Sequence, residues 1–180
     1  MKVLQLHKTK KSKIVLSFLL SWIFGLCAWI SIPISFSLVP LYLHPLPIFL
    51  AVYIFDDLAV WAWFLYMTQG ALGAPFFSCG RSGMLHLLGP TGGYVFGIFL
   101  GSLFLLYSKK LKSNSLILSG LKFAVASLFM HLFGALQLYF FVSSDKLLAV
   151  GFYPFIVSDF IIKLSVFVFI NKFILSSHKK

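Results

Sequence analysis

The chain has 180 residues, of which 60% are hydrophobic, 18% are aromatic and only 11% are charged. Its mean hydropathy is +0.98, whereas a soluble domain needs roughly 25% charged residues to cover its surface. Lys and Arg number 15 against 4 Asp and Glu, which gives a formal net charge of +11. These basic residues stand in short clusters between apolar runs, as membrane topology signals do. A soluble domain is therefore excluded, and nucleic-acid binding is disfavoured.

Six apolar runs follow one another along the chain. A helix needs about 20 residues to cross the hydrocarbon core of a bilayer. The second run is short and contains His-Pro-Leu-Pro, so five spans are the main alternative to six. We predict an all-α, polytopic integral membrane protein with six helices in one bundle. The predicted spans are residues 14–32, 41–55, 58–77, 85–107, 115–142 and 147–171.

The tails and loops predict a domain organisation and an orientation. Residues 1–13 form a basic cytoplasmic N-terminal tail, residues 14–175 form one transmembrane domain, and residues 176–180 form a short cytoplasmic C-terminal tail. With six spans, the external loops hold only Arg81 and Lys146, as the positive-inside rule requires. The internal segments hold Lys2, Lys8, Lys10, Lys11, Lys13, Lys109, Lys110, Lys112, Lys172, Lys179 and Lys180.

The first apolar run, from Ile14 to Ile30, is longer than the roughly 7–15 apolar residues of a signal peptide. Ser31-Ile32-Pro33 follows it instead of an Ala-x-Ala cleavage site, so we predict a retained helix. No Gly-x-x-x-x-Gly-Lys-Ser/Thr motif occurs in the chain. If the protein is a transporter, any ATP is hydrolysed by another polypeptide.

Small residues recur at every fourth position of this first run, at Ser17, Ser21 and Gly25. This spacing lets two helix backbones approach closely. The stripe is a candidate interface with the helix of a partner membrane protein. Packing against the chain's own helices is the equal alternative.

Several polar side chains lie within or beside the other apolar runs. Trp63, Tyr66 and Gln69 share one face of the third predicted span, where an aromatic stripe serves packing or the membrane interface more often than a ligand wall. The amide of Gln69 needs a hydrogen-bond partner there. His44 is a candidate binding residue at the start of the second predicted span. His131 and Gln137 in the fifth are predicted to form interhelical hydrogen bonds rather than ligand contacts.

The fourth run contains the irregular segment Gly-Pro-Thr-Gly-Gly-Tyr. Gly89-Pro90 ends any helix that precedes it, and two glycines then stand before the next helix. Within a bilayer, irregular backbone is tolerated only where it is buried in protein or lines a cavity. The N–H groups at the start of a helix, with their partial positive charge, suit an anion such as a carboxylate. The candidate anion-binding residues are Arg81, Gly92, Gly93 and Tyr94.

Asp159 and Lys163 lie deep in the last apolar run, four residues apart. A charged residue at the centre of a membrane helix costs about 2.5–3.5 kcal/mol on insertion scales. The spacing places both on one helix face, with the acid before the base. We predict that they line a cavity and bind a polar ligand. A self-neutralising pair that only holds helices together is the structural alternative.

The cysteine and histidine patterns carry little chemistry. Cys27 and Cys79 are too few for a disulfide framework. The five histidines show no metal-ligand spacing, so no metal is predicted. A membrane-embedded enzyme would use Asp159, His131 or Cys79, but no nucleophile and base stand at a useful spacing. We therefore predict that the protein is not an enzyme.

Residues 69–101 contain the elements Gly-Ala-Leu-Gly-x-Pro and Leu-Gly-Pro-Thr-Gly-Gly-Tyr. This region resembles the signature region of the BioY family of biotin transporters, and two further segments resemble that family. ISIPISFSLVPLYLH resembles its Pro/Ser-rich segment, which usually closes with Gln where this chain has His44. YPFIVSDFIIK resembles Pro-Phe-x-x-Gly-Asp-x-x-Lys, with Ser158 in place of Gly and Lys163 one residue later. The resemblance covers most of residues 31–163.

This resemblance implies a six-helix S component of the energy-coupling factor type in the bacterial cytoplasmic membrane. Such a subunit captures biotin and works with a transmembrane coupling protein and two ATPases, or alone or as a homo-oligomer. It needs no cofactor, and biotin is its ligand.

The chemistry of biotin fits the candidate residues. The ureido N–H groups and carbonyl suit Asp159 and Lys163, and the aliphatic arm suits an aromatic wall. The carboxylate suits Arg81 or the amides of residues 92–94. Two alternatives stay open: an S component for another small anionic vitamin or precursor, and a structural membrane protein.

Overall fold

The computed structural model describes residues 9–32, 39, 41–42, 45–109, 116–153, 155 and 159, and this part of the chain is helical. Strands β1 (Ser31–Ile32) and β2 (Leu41–Tyr42) pair antiparallel between the first two helices, and a 3-10 turn covers Ser78–Gly80. The predicted all-α class is confirmed, with this short ladder as an addition. The helices are α1 Lys10–Ala28, α2 Pro45–Phe55, α3 Asp57–Ala71, α4 Met84–Leu88, α5 Gly92–Ser108, α6 Leu116–Leu138 and α7 Leu147–Gly151.

Several helices are shorter than the predicted spans. The 11 residues of α2 and the 15 of α3 correspond to roughly 16 and 22 Å. The fourth predicted span, 85–107, is not one helix, because α4 ends at Leu88 and α5 begins at Gly92. This break falls at Gly89-Pro90, as the sequence predicts.

Membrane-spanning length is clear for two of the described helices. Lys10–Ala28 and Ile117–Leu138 are long and apolar enough to cross a bilayer, by length and composition. The count of six spans stays a prediction. Several predicted features lie outside the described residues: His44, Lys163, most of the last span, most of the N-terminal tail and the C-terminal tail.

A capping box sets the beginning of α1. The Thr9 hydroxyl accepts a hydrogen bond from the Ser12 amide at 3.2 Å, and the Ser12 hydroxyl accepts one from the Thr9 amide at 3.3 Å. These two bonds satisfy amides that lack partners at a helix start. The helix therefore begins at Lys10, within the predicted tail.

Lysines join the helices at one end of the bundle, the basic end. Lys13 of α1 pairs with Asp57 of α3 at 3.3 Å, so both helices begin here. Lys109, directly after α5, donates to the Tyr53 carbonyl of α2 at 3.0 Å and contacts the Asp56 carboxylate. A cation at the end of a helix stabilises its last carbonyls. Both α2 and α5 therefore end where α1 and α3 begin.

The interior of the bundle is apolar where α1, α3 and α5 meet. Phe24, Trp63 and Ile98, one from each helix, are at most 1% exposed. The Trp63 indole donates to the Val95 carbonyl at 3.3 Å, which satisfies its polar group inside the core.

Glycines bring the backbones of α5 and α6 together. Gly93, Gly97 and Gly101 recur at every fourth residue of α5. A Cβ atom added at any of them would come within 2.3–2.7 Å of α6 backbone atoms, closer than real Cβ contacts. This is the Gly-x-x-x-Gly type of helix packing found in membranes.

The small-residue stripe of α1 is covered by the chain itself. Ser17 donates to a backbone carbonyl of α3 at 3.4 Å, and the Ser21 hydroxyl accepts from the Gln69 amide at 2.9 Å. A Cβ atom on Gly25 would lie 2.6 Å from the Phe76 ring. Internal packing therefore occupies the face that carries Ser17, Ser21 and Gly25, which was the equal alternative to a partner-helix interface.

Candidate functional site at the connection between α3 and α5

The connection between α3 and α5, residues 72–91, folds over the end of the bundle opposite to the basic end. The Gly83 amide donates to the Gly70 carbonyl at the end of α3 at 2.8 Å. Gly83 has a φ of +93°, a conformation that favours glycine, and α4 begins directly after it. The Trp29 indole, at the end of α1, donates to the Pro75 carbonyl at 2.7 Å. The connection is thus attached to both α1 and α3.

A row of rings joins α3 to the start of α5. Tyr66 is 1% exposed and meets the Phe77 ring edge-on, with centroids 5.8 Å apart. Phe77 stacks on His86 at 4.9 Å, and the His86 Nε2 atom lies 3.0 Å from the Thr91 hydroxyl. This contact joins α4 to the residue directly before α5.

Gln137 of α6 holds the irregular segment from the other side. Its amide nitrogen donates to the Leu87 carbonyl at 2.9 Å and to the Gly89 carbonyl at 2.6 Å. The predicted interhelical hydrogen bond of Gln137 is therefore confirmed, with α4 and its C-terminal cap as the acceptor. For His131 the same prediction is wrong, because its Nδ1 atom lies 2.8 Å from the Ser127 carbonyl of its own helix.

Tyr94 connects α5 to the last part of the described chain. It is 1% exposed, and its hydroxyl donates to the Gly151 carbonyl of α7 at 2.7 Å. Its ring lies against Gly134 of α6, and the Phe155 ring packs beside it at 5.2 Å. Tyr94 therefore fixes the relative positions of α5, α6 and the segment that carries Asp159.

Asp159 is buried, with 9% of its surface exposed. Phe155, four residues earlier, is 4% exposed, and both residues are helical. Phe155 packs against the Tyr94 ring and, at 6.5 Å, against the His131 ring. The buried Asp159 carboxylate therefore follows, by four residues, a side chain that contacts Tyr94.

The other predicted site residues are spread around this end. Arg81 is exposed and follows the 3-10 turn of the connection. Gln69 uses its amide nitrogen in the bond to Ser21, so it has a structural partner. Tyr66 lies in the ring row described above.

Gly92 and Gly93 serve packing. A Cβ atom on Gly92 would lie 1.7 Å from the Leu87 carbonyl oxygen, and one on Gly93 would lie 2.3 Å from that of Phe133. The Gly92 amide donates to Gly89, and the Tyr94 amide donates to Thr91, both at 3.2 Å. The turn itself therefore supplies acceptors for these two amides, which were predicted to suit an anion.

The chain matches the BioY family over residues 2–179. It belongs to that family. Biotin transporter BioY from Thermotoga maritima is 37% identical over 141 residues, which cover 74% of this chain and 79% of the relative. Biotin transporter BioY2 from Lactococcus lactis subsp. cremoris is 34% identical over 110 residues, which cover 58% of this chain and 59% of the relative. The predicted resemblance is confirmed.

The fold is similar to the crystal structure of the S-component for biotin from an ECF-type ABC transporter. The TM-score is 0.77 at 22% sequence identity, and the match covers 91% of each chain. At this identity the likeness shows the fold. The BioY-family relatives are transporters, so this chain is a membrane protein and belongs to no enzyme family.

Two residues of this BioY-family chain escaped the sequence analysis. His86 stands between the ring row and Thr91, and only its place inside the signature segment marked it. Lys122 of α6 is 8% exposed and donates to the Ser108 carbonyl at 2.7 Å. A charge within an apolar run is the signal that identified Asp159, and it applies equally to Lys122.

No disulfide joins Cys27 and Cys79 in the described part of the chain. No three His, Cys, Asp or Glu side chains among the described residues come together as metal ligands would.

Proposed function

We propose that this BioY-family chain captures biotin with high affinity and serves its uptake across the bacterial cytoplasmic membrane. The family match over residues 2–179 carries this proposal, together with the 37% identity to a protein named a biotin transporter. The geometry supports it, since aromatic side chains lie beneath the irregular backbone before α5, and the buried Asp159 follows Phe155, which packs against Tyr94.

The proposed ligand contacts follow from the chemistry of biotin. The Asp159 carboxylate accepts the ureido N–H groups, and Lys163 donates to the ureido carbonyl. The rings of Tyr66 and Tyr94 contact the thioether ring and the aliphatic arm of biotin. His44 and Gln69 line the same wall of the site. Arg81, exposed in the connection, pairs with the ligand carboxylate. The glycines of residues 92–93 allow the close packing that positions Tyr94.

The proposed orientation places the basic end in the cytoplasm and the α3–α5 connection outside. The lysines of the basic end and the positive-inside rule support it. The chain then crosses the membrane several times, and both termini are cytoplasmic. Biotin arriving from outside meets the connection first. The structural neighbour belongs to an ECF-type transporter, which supports a transmembrane coupling protein and ATPases as partners, with autonomous action or a homo-oligomer as the alternative.

Substitution of Asp159 tests the binding site. We expect Asp159→Ala to abolish biotin binding and Asp159→Asn to weaken it at least tenfold. The asparagine amide has one uncharged acceptor oxygen, whereas the carboxylate has two oxygens that share a negative charge. Binding to purified protein is measured by titration calorimetry, with thermal unfolding as the check that each variant is folded. Asp145→Asn, an exposed acid in a loop, is the matched control and should bind like the parent.

Unchanged affinity in a folded Asp159→Ala variant would show that the carboxylate is structural. The same titration with thiamine and riboflavin addresses the alternative of another vitamin. A response to either, with none to biotin, would replace biotin as the ligand while leaving a vitamin-binding function in place.

A further inference from the structure

A groove of about 580 Å³ lies between α1 and α3 on the outside of the bundle, next to the basic end. Its floor is the contact between the two helices, where Ser17 bonds to the α3 backbone. Ile14 forms one wall, and Trp61 and Phe64 form the other. These three side chains are 67%, 61% and 46% exposed, respectively. The groove therefore presents an apolar surface outward, away from the core of the bundle.

Charge is confined to one end of this groove. Lys10, Lys13 and Asp57 line the mouth, and Asp57 pairs with Lys13 at 3.3 Å. Two ammonium groups thus face one carboxylate, which leaves an excess of one positive charge. From Asp57 the groove extends along α3 to Leu65, which corresponds to roughly 12 Å of apolar wall.

We propose that this groove binds an anionic phospholipid of the surrounding bilayer. The phosphate lies at Lys10 and Lys13, where positive charge is in excess, and an acyl chain lies along Trp61 and Phe64. A soluble anion would leave the apolar walls unused, and an uncharged lipid would leave the ammonium groups unused. Aromatic side chains such as Trp61 are typical of the depth just below the headgroups, and lysines at a membrane surface attract anionic lipids. This site is separate from the proposed biotin site, which lies at the opposite end.

Quenching of tryptophan fluorescence by brominated lipids tests the proposal. The protein is placed in vesicles of phosphatidylcholine that contain a small fraction of either dibromo-phosphatidylglycerol or dibromo-phosphatidylcholine. We expect the anionic lipid to be enriched about fivefold beside Trp61, the factor that corresponds to ~1 kcal/mol for one net positive charge. The excess quenching by phosphatidylglycerol should disappear in Trp61→Phe. The excess quenching should persist in Trp22→Phe, because Trp22 is an exposed tryptophan of α1 that does not line the groove.

The lysine variants separate a site from general surface charge. Lys10→Gln with Lys13→Gln should remove the excess quenching, whereas Lys10→Arg with Lys13→Arg should keep it. Lys10→Gln alone, which leaves the Lys13–Asp57 pair intact, should reduce it. Lys146→Gln removes one exposed lysine at the other end and should have no effect. Equal quenching by the two lipids in the parent protein would overturn the proposal and favour the helix of a partner protein as occupant. Loss of the excess in Lys146→Gln would also overturn it.

Discussion

Single side chains decide how the end of the bundle near the connection is held. Tyr94 and Gln137 both place a donor on a backbone carbonyl where the chain is irregular or a helix ends, at Gly151 and at Gly89. The sequence predicts a binding role for Tyr94 and a hydrogen-bonding role for Gln137. It could not identify their acceptors, because a carbonyl that accepts from a distant side chain carries no sequence signal.

Removal of one oxygen atom tests the role of Tyr94. In Tyr94→Phe the ring contacts with Phe155 remain, but the buried Gly151 carbonyl loses its donor. We expect a loss of about 1–3 kcal/mol in stability, measured as a lower melting temperature in detergent. Tyr153→Phe is the matched control, since Tyr153 is 60% exposed, and it should change stability by less than about 0.5 kcal/mol. Equal melting temperatures for the two variants would show that the Tyr94 hydroxyl contributes nothing.

At the scale of helices, the sequence predicted where helices end better than it predicted which helices pack together. Gly89-Pro90 predicted the end of α4 and the start of α5 because both residues act on the local backbone. The stripe at Ser17, Ser21 and Gly25 predicted close helix approach, which is correct, but left open whether the covering helix belongs to this chain or to another protein. The spacing shows that one face of the helix carries small side chains, whereas the identity of the helix that covers this face depends on the three-dimensional arrangement.

The same reasoning, applied to Gly93, Gly97 and Gly101, would have predicted the tight contact of α5. We expect Gly97→Ala to destabilise the protein by about 1–3 kcal/mol, because its methyl group would lie 2.7 Å from the α6 backbone. Gly120→Ala is the control within α6, since no atom of the described residues lies within 4 Å of an added Cβ atom there. Its stability should stay equal or rise by up to about 1 kcal/mol. Thermal unfolding measures the stability of both variants. Similar losses of stability in the two would contradict close packing at Gly97.

At the scale of the whole molecule, the lysine contacts place the start of α1 and the end of α5 at one end, and the α3–α5 connection at the other. The sequence predicted this alternation from charge alone, because topology signals are read locally along the chain. It could not predict the helix lengths. Short helices such as α2 are tolerated because neighbouring helices and Lys109 satisfy their last carbonyls.

Thiol labelling tests the proposed orientation. Cys79 is exposed in the connection, so a membrane-impermeant maleimide should label it from outside in right-side-out vesicles of a Cys27→Ser variant. In a Cys27→Ser, Cys79→Ser background, Lys11→Cys at the basic end should react only after the vesicles are opened. The reverse pattern would invert the orientation.

The lysines of the basic end have two roles in the life of the chain. In the proposed orientation the insertion machinery senses Lys13 and Lys109 as they emerge and retains them on the cytosolic side. In the folded protein, the ammonium groups of Lys13 and Lys109 form ion pairs with Asp57 and Asp56, respectively. Neutralising either lysine therefore alters biogenesis and folded stability together, and a phenotype in cells reports the sum of both.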